Sequence, residues 1–235
     1  REYLHLSSYV GAAPVTLKQY SDVVRKQTIR KMTVNRETMR RAFEDVVLTP
    51  GLLERLGPAV NSGRSIFLYG PTGSGKTFIA EHMVKVMSGN VFIPHAICVD
   101  NQVIRVFDPA NHSRVDLGTT TDPARAVLED RAEYDHRWVL CERPVVASGG
   151  ELTLAMLDLS FDPVAKFYEA PLQLKANGGV FLIDDLGRQR VRPFDLLNRW
   201  ITPLEKARDY LTLHNGKKFE IPFDQIILFS TNIEP

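Results

Sequence analysis

The eight residues 70–77, Gly-Pro-Thr-Gly-Ser-Gly-Lys-Thr, constrain the fold more than any other part of the chain. They match the pattern G-x-x-x-x-G-K-[ST] and follow a continuous apolar run at 65–69, which is typical of a strand buried on both faces. The glycines allow the backbone to wrap closely enough for consecutive N–H groups to point at phosphate oxygens. A helix that begins at this turn adds the positive end of its dipole. The sequence therefore predicts a phosphate-binding loop, or P-loop, between a strand and a helix.

The P-loop and the residue after it are the predicted nucleotide ligands. Lys76 is expected to reach the β- and γ-phosphates as a point charge, which makes it a catalytic candidate, and the hydroxyl of Thr77 is expected to bind Mg²⁺. A glycine-rich turn could arise by chance, but the strand before it and the amphipathic helix predicted at 77–87 favour nucleotide binding. The predicted nucleotide-binding set is Gly70, Pro71, Thr72, Gly73, Ser74, Gly75, Lys76, Thr77 and Phe78.

Two acids and an amide follow two other apolar runs. Asp184 and Asp185 come at the end of the run that begins at residue 180, and Asn232 follows the run at 226–231. An acid at the carboxyl end of a buried strand points into the crevice where open α/β sheets bind ligands. Asp184 is therefore predicted to hold Mg²⁺, directly or through water, and Asp185 to orient and deprotonate the attacking water. Asn232 is predicted to help position that water. The alternative for the acids is that they only cap the following turn.

Buried strands alternate with amphipathic helices along the chain. This pattern predicts an α/β fold with a parallel sheet and helices on both faces, preceded by an amino-terminal helical arm. Asn35 is the expected N-cap of one helix of that arm. Helices are predicted at 16–31, 36–47, 52–60, 77–87 and 193–207, helical pieces at 151–177, strands at 65–69, 91–99, 102–107, 138–141, 180–184 and 225–231, and a hairpin at 210–221.

Composition and charge limit the cellular location and the binding partners that we expect for the chain. It has 235 residues, 44% of them hydrophobic, and no stretch approaches the ~18 uncharged apolar residues of a membrane span. Two cysteines are too few for a disulfide framework, so a cytoplasmic location is expected. Residues 1–43 carry nine Lys and Arg against three acids, so this arm could meet nucleic acid. We favour the alternative that these charges lie on solvent-exposed helix faces without a partner, because no aromatic residues alternate with them as in nucleic-acid-binding segments.

The order of these motifs resembles the AAA+ ATPase superfamily of P-loop NTPases: a P-loop, the Walker B acids Asp184 and Asp185, and then Asn232, which matches the sensor-1 residue. Residues 43–47 are similar to the segment that flanks the adenine in that superfamily. The hairpin predicted at 210–221 lies before the sensor-1 strand. It resembles the hairpin inserted at that point in one clade of the superfamily, which contains MoxR-type ATPases, magnesium chelatase subunits and enhancer-binding activators. The resemblance implies a basic helical arm at 1–42 and a nucleotide-binding core at 43–235.

The same resemblance carries expectations about activity and assembly. It implies that ATP and Mg²⁺ are the cofactors and that ATP is hydrolysed by positioning and electrostatics. It also implies a homo-oligomeric ring, a hexamer for the full-length protein, that remodels an unknown protein client. Nucleic acid bound through the basic arm is a less favoured partner, and no membrane partner is expected.

The chain departs from the superfamily pattern in four ways. Asp185 stands where glutamate is usual, and a misplacement of ~1 Å can slow catalysis by ~10²-fold. The activators' Gly-Ala-Phe-Thr-Gly-Ala loop is absent. An insertion at about 100–150 separates the P-loop from the Walker B acids and could engage a partner. A fifth strand, an arginine finger and a helical lid would lie beyond Pro235, so a fragment is expected, with its P-loop strand at an edge of the sheet.

Two alternatives to the ATPase interpretation stay open. A nucleotide-gated interaction module would bind ATP with little or no turnover, as the shorter side chain of Asp185 would allow. A P-loop kinase or GTPase is less favoured, because the chain has no Asn-Lys-x-Asp guanine motif. Four arginines near the Walker B acids could act on a neighbouring subunit's nucleotide or could only pair with acids. They are Arg188, Arg190, Arg192 and Arg199.

Overall fold

The computed structural model describes residues 7–46, 51–71, 73–87, 89–115 and 135–232. The helices are α1 (Leu17–Lys26), α2 (Arg36–Ala42), α3 (Leu52–Asn61), α4 (Lys76–Val86), α5 (Leu172–Lys175) and α6 (Pro193–Lys206). The strands are β1 (Val15–Thr16), β2 (Ile66–Tyr69), β3 (Val91–Pro94), β4 (Ala96–Val99), β5 (Gln102–Arg105), β6 (Trp138–Cys141), β7 (Val145–Ser148), β8 (Ser160–Asp162), β9 (Phe167–Glu169), β10 (Val180–Ile183), β11 (Arg208–Thr212), β12 (Lys218–Pro222) and β13 (Ile226–Thr231).

Four parallel strands form the main sheet, in the order β2-β13-β10-β7. Their registers place Phe229 of β13 beside both Ile183 of β10 and Phe67 of β2. Alternate residues of β10 and β13 pack with α4 on one face and with α6 on the other, which buries both strands. The predicted α/β fold, a parallel sheet with helices on both faces, is therefore confirmed. The strand of Asn232 lies next to the P-loop strand, as the motif order predicts.

The P-loop strand β2 lies at an edge of this sheet, as expected. Ile66 and Leu68 are buried on the α4 side, whereas Phe67 and Tyr69 are 57% and 52% exposed. The prediction of a strand buried on both faces is therefore wrong. The edge position leaves the side chains of the second face half in solvent, and Phe67 packs there on the neighbouring Phe229 ring, with 4.5 Å between the centroids.

A second sheet has the order β1-β4-β5-β9-β8, and β3 pairs separately with β6. The single strand predicted at 91–99 is wrong, because the chain forms β3 and β4, which belong to different sheets. His95 separates them: its N–H donates to the carbonyl oxygen of Arg137 at 2.9 Å, and its own carbonyl accepts from Val106 N at 3.0 Å. The strand that completes the main sheet is β7, which lies inside the stretch predicted as an insertion.

Gly179 is the point at which β10 enters the main sheet beside β7. A Cβ at this position would lie 2.0 Å from the carbonyl oxygen of Pro144. The next residue, Val180, donates its N–H to that same oxygen at 2.9 Å, and Gly179 O accepts from Ile226 N at 3.0 Å. Strand β10 can therefore join both of its neighbours only because residue 179 has no side chain.

The amino-terminal arm packs against the rest of the chain. Strand β1 pairs with β4, and the buried Tyr20 of α1 accepts a hydrogen bond from Asn177 Nδ2 at 2.7 Å. Asp224, between β12 and β13, accepts from Thr28 Oγ1 at 2.7 Å and from Ile29 N at 3.1 Å. These contacts hold both ends of the first helical segment. The domain boundary at residue 43 stays a prediction.

Several helix predictions need new boundaries. Asn35 caps α2 as predicted, with its Oδ1 accepting from Thr38 N at 2.8 Å, but the helix ends at Ala42. Residue 47 lies outside the described residues. The helix predicted at 16–31 is α1 followed by a 3-10 turn at Ile29–Lys31. The stretch 151–177, predicted to hold helical pieces, contains a 3-10 turn at Leu154–Leu157 and α5, with the antiparallel pair β8-β9 between them.

Helix α6 and the hairpin β11-β12 form where they are predicted. The hairpin packs its apolar side chains into the same cluster as α1 and the second sheet. Among the described helices, none combines the length and the apolar character needed to span a membrane.

Candidate nucleotide-binding site

The P-loop joins β2 to α4 through glycines in the left-handed region. Gly73 and Gly75 each have a φ of 79°, which side chains rarely allow. Gly70 is also confined, since an added Cβ would lie 3.0 Å from Ser74 Oγ. Gly75 is the N-cap of α4 and has no side chain to bond the first N–H groups of the helix. Those groups and the helix dipole favour an anion at this position. Thr72 lies outside the described residues.

Lys76, the first residue of α4, turns back onto the P-loop. It is buried, and its Nζ donates to the carbonyl oxygens of Gly70 at 2.9 Å and Pro71 at 3.0 Å. The ammonium group therefore lies against the loop that is predicted to carry the phosphates. Thr77 follows it in the first turn of α4.

Asp184 and Asp185 follow β10 directly, and both are half-buried. Asp184 N donates to Ser148 O at 2.9 Å, and Asp184 Oδ1 accepts from Asp185 N at 3.0 Å, so part of the first carboxylate is used within the turn. Asp185 has a φ of 54°, in the left-handed region that Asp and Asn tolerate better than most residues. Gln189 Nε2 donates to Asp184 O at 2.6 Å, which closes the turn.

Three strand ends are hydrogen-bonded to one another at this edge of the sheet. Gly70 N donates to Thr231 O at 3.2 Å, which links the P-loop to β13. Leu186 N donates to Ser230 O at 2.7 Å, and Thr231 Oγ1 donates back to Leu186 O at 3.0 Å. The P-loop, the turn after β10 and the end of β13 are therefore adjacent. Asn232, half-buried, is the next residue of the chain.

Leu186 and Gln189 hold the turn after β10 in place, although neither was predicted from the sequence. Leu186 bonds to β13 through its main-chain N–H and C=O, whereas the side-chain carboxamide of Gln189 donates to Asp184 O and accepts from Gly187 N at 2.8 Å. A leucine and a glutamine carry no motif signal at these positions, because their contacts exist only once the turn has formed. Thr231 had a weak signal, since it lies directly before Asn232 in the motif.

Three rings lie beside the P-loop helix. Phe78, 43% exposed, packs on His82 with 3.9 Å between the ring centroids, and Phe43 lies 5.6 Å from His82 on the same measure. His82 Nδ1 is 2.9 Å from Phe78 O and its Nε2 is 3.3 Å from Lys85 Nζ, so Nδ1 donates and Nε2 accepts. Two residues singled out separately in the sequence, Phe78 and Phe43, thus share one aromatic cluster.

The arginines after β10 differ in their partners. Arg199 of α6 donates to both carboxylate oxygens of the buried Asp209, at 2.7 and 3.0 Å. Arg192 pairs at 2.8 Å with a carboxylate three residues further on. Arg199 is therefore used inside the molecule, which argues against a role for it on a neighbouring subunit. Arg188 and Arg190 are exposed and lie within a few residues of Asp185.

No family model matches the chain. The chain is 41% identical over 54 residues to the vesicle-fusing ATPase of Dictyostelium discoideum, and 45% identical over 49 residues to the vesicular-fusion protein sec18 of Schizosaccharomyces pombe. These stretches cover 23% and 21% of this chain but only 7% and 6% of the two relatives. The likeness is thus local and spans a small part of each relative.

Two solved structures resemble the chain over most of its length. A chain of the complex between subunits BchI and BchD of magnesium chelatase aligns with 78% of this chain and 51% of its own, at 17% identity and a TM-score of 0.46. NtrX from Brucella abortus aligns with 83% of this chain and 34% of its own, at 14% identity and a TM-score of 0.44. These TM-scores are too low to carry an argument about function.

Proposed function

We propose that this chain is an AAA+ protein, as the order of its motifs indicates, and that it binds ATP together with Mg²⁺ and hydrolyses it. The observation that supports this best is the set of hydrogen bonds between three strand ends, from Gly70 to Thr231 and from Leu186 to Ser230. Positioning and charge stabilisation are what phosphoryl transfer to water requires, and the predicted groups for both follow these strands. The local likeness to a vesicle-fusing ATPase agrees with this activity.

The oxygen donors at this edge suit Mg²⁺. The ion prefers hard oxygen ligands and is usually held by one or two protein groups, water and substrate phosphates. Asp184, whose carboxylate is oriented by the N–H of Asp185, and Thr77, in the first turn of α4, would hold it. When bound, Mg²⁺ would neutralise charge on the β- and γ-phosphates.

The chain's own residues would divide the remaining work. Lys76 would exchange its bonds to two loop carbonyls for bonds to the β- and γ-phosphates, while main-chain N–H groups of the P-loop bind the phosphates and Phe78 contacts the base. Asp185 would orient the attacking water and accept its proton, and Asn232 would hold that water in line. All of these roles are proposals that rest on the motif and on the adjacency of the strand ends.

Assembly and partners follow from the superfamily resemblance. The protein would form a homo-oligomeric ring, hexameric at full length, and would remodel a protein client in the cytoplasm. Arg188 and Arg190 are exposed close to Asp185, so they are candidates to reach a nucleotide held by a neighbouring copy. Nucleic acid is less favoured, because the first helix of the basic arm packs against the second sheet.

Steady-state ATP hydrolysis measured against protein concentration tests this function. Turnover that requires Mg²⁺ and disappears in Lys76→Ala would support it, and specific activity that rises with concentration would add that catalysis needs a neighbouring copy. ATP binding without turnover above the Lys76→Ala blank would favour the nucleotide-gated interaction module. A chain that binds no ATP would contradict both functions.

A further inference from the structure

A cavity of about 620 Å³ lies at the amino-terminal end of the main sheet, the end away from the P-loop. The turn before β2, the end of α6 and the residue before β13 form its wall. Its charged residues are Arg30, Arg64 and Glu205, and Gln225 contributes to the wall between them. None of these residues belongs to the nucleotide site, so the cavity is a separate feature of the fold.

Gln225 is the unusual residue of this wall. It is 3% exposed, and neither Oε1 nor Nε2 has a hydrogen-bond partner among the described residues. A buried carboxamide without partners is disfavoured, because it has lost its hydrogen bonds to water and has gained none in exchange. An apolar side chain of the same size would suit a purely structural role better. The unpaired carboxamide therefore points to a ligand.

Two other carboxamides in this molecule show what such a group binds. Asn61 Oδ1 accepts from Val34 N at 2.7 Å, and Asn61 Nδ2 donates to Val34 O at 2.8 Å. Gln27 makes the same pair of hydrogen bonds with the N–H and C=O of Phe92, at 2.9 and 3.0 Å. In extended backbone the N–H and C=O of one residue point to the same side, which matches the acceptor and donor of a carboxamide.

The charges of the wall define the second part of the ligand. Arg64 is exposed and makes no ion pair with any residue in the described ranges. Arg30 is partly engaged, with its Nε 3.8 Å from Asp224. Glu205 on the same wall opposes a strongly acidic ligand. Two guanidinium groups against one carboxylate fit a ligand with a single acidic group, which an arginine binds through paired hydrogen bonds.

We propose that this cavity binds a short extended peptide segment that carries one carboxylate. Gln225 pairs with the N–H and C=O of one peptide residue, and Arg64 binds the carboxylate with Arg30 beside it. Both amide atoms of Gln225 are covered in the structure, so the proposed binding requires its side chain to turn into the cavity. The carboxylate comes either from an acidic side chain or from the free end of the peptide, since both present the same group to the arginines.

Three short N-acetylated peptides test the proposal and separate the two sources. One has a single internal glutamate and an amidated end, one is neutral with a free carboxyl end, and one is neutral and amidated as the blank. The side-chain amide signal of Gln225, identified by its absence in Gln225→Met, is followed by NMR during each titration. We expect it to shift with one or both carboxylate peptides and not with the blank.

Variants separate binding from a structural role. Gln225→Met and Arg64→Ala should each weaken binding of the carboxylate peptide by tenfold or more, whereas Arg55→Ala, at an exposed arginine of α3 outside the cavity, should not change it. Gln225→Met should also keep or raise Tm, because it removes an unpaired buried amide. Lys76→Ala should bind the peptide as the wild type does.

Specific results would overturn the proposal. They are unchanged affinity in both Gln225→Met and Arg64→Ala, no shift of the Gln225 amide with either carboxylate peptide, or equal binding of the neutral blank. A single-stranded oligonucleotide that shifts the Gln225 amide where the peptides do not would also overturn it, since the cavity would then belong to nucleic acid.

Discussion

Asp185 has a backbone conformation that suits an aspartate. Its φ of 54° is one that Asp and Asn adopt more readily than longer side chains, and it forms the turn that brings Leu186 N to Ser230 O. In the sequence, the departure from the usual glutamate was visible only as a shorter side chain. The turn after β10 adds a conformational reason, which no sequence pattern reveals.

Replacing Asp185 by asparagine should separate binding from turnover. Asn tolerates the left-handed conformation, so Asp185→Asn is expected to fold and to keep its Kd for ATP. Its kcat should fall by about 100-fold or more, because the amide cannot accept the proton of the attacking water. Asp185→Glu is the matched comparison and should lower the free energy of unfolding by about 1 kcal/mol through backbone strain. Full turnover in Asp185→Asn would move the catalytic role to another residue.

Lys76→Ala should weaken ATP binding severely while leaving the fold intact. The ammonium group bonds only to loop carbonyls in the described contacts, at Gly70 and Pro71, so the core loses no packing. The matched control is Lys85→Ala on the same helix, which should bind ATP as the wild type does. Titration with a fluorescent ATP analogue and thermal melting by circular dichroism check both expectations. Wild-type affinity in Lys76→Ala would contradict the P-loop assignment.

At the scale of strands and helices, the sequence predicted element types well where a pattern was long. Helix α6, the hairpin β11-β12 and the buried strands β10 and β13 occur as predicted, because each has a clear period or a turn signal. Strand β7 was missed, since only Val145 and Val146 of its four residues are strongly apolar. The pairing of β3 and β4 with different sheets was also missed, because periodicity does not tell which strands become neighbours.

The junction of β7 and β10 gives a test at the same scale. Gly179→Ala would place a Cβ 2.0 Å from the main-chain oxygen of Pro144, so the two strands would have to separate. We expect a loss of about 3 kcal/mol or more in the free energy of unfolding, measured with urea. Gly57→Ala, in the middle of α3, is the control. Its Cβ would make only an ordinary contact with Met39 of α2, and the alanine should stabilise the helix by about 1 kcal/mol. Equal stability of the two variants would contradict the close approach.

The candidate site was predicted in its parts and not in its connections. The motif residues after β2, β10 and β13 could all be picked out in the sequence, because each group follows an apolar run and contains polar or charged side chains. The hydrogen bonds that join them, Leu186 to Ser230 and Gly70 to Thr231, depend on strand order and could not be predicted. The catalytic roles of these motif residues stay predictions until the variants described above are measured.

At the scale of the whole molecule, an ion pair between Asp108 and Lys175 connects the loop after β5 to α5. Lys175 Nζ lies 2.7 Å from Asp108 Oδ2, and His112 Nε2 contacts Lys175 O at 2.9 Å. Burial raises the pKa of Asp108, but hydrogen bonds from Lys175, from Ala110 N and from Asn111 outweigh it and lower the pKa to about 2. The carboxylate therefore stabilises the fold at neutral pH.

This ion pair makes the stability of the fold depend on pH, in a direction that the pKa of Asp108 determines. Because the folded pKa of Asp108 lies below its ordinary value of 3.8, its contribution is present above that pH and is lost as the pH falls towards 2. The wild type should lose about 2 kcal/mol of stability from this group over that interval. Asp108→Asn should be less stable at neutral pH, and the difference in Tm should shrink as the solution is acidified. A difference that stays constant down to the lowest pH would show that the charge of Asp108 does not matter.

The end of β13 has one further consequence, for the way this edge of the molecule opens. The amide hydrogens of Gly70 and Leu186 belong to two different loops, yet they end on the carbonyl groups of the adjacent residues Thr231 and Ser230. Fraying of the last two residues of β13 therefore releases both amides to solvent in the same event. The amide hydrogens of the two loops therefore exchange with solvent through the same local opening. A contact that holds the end of β13 in place should slow hydrogen exchange in both loops.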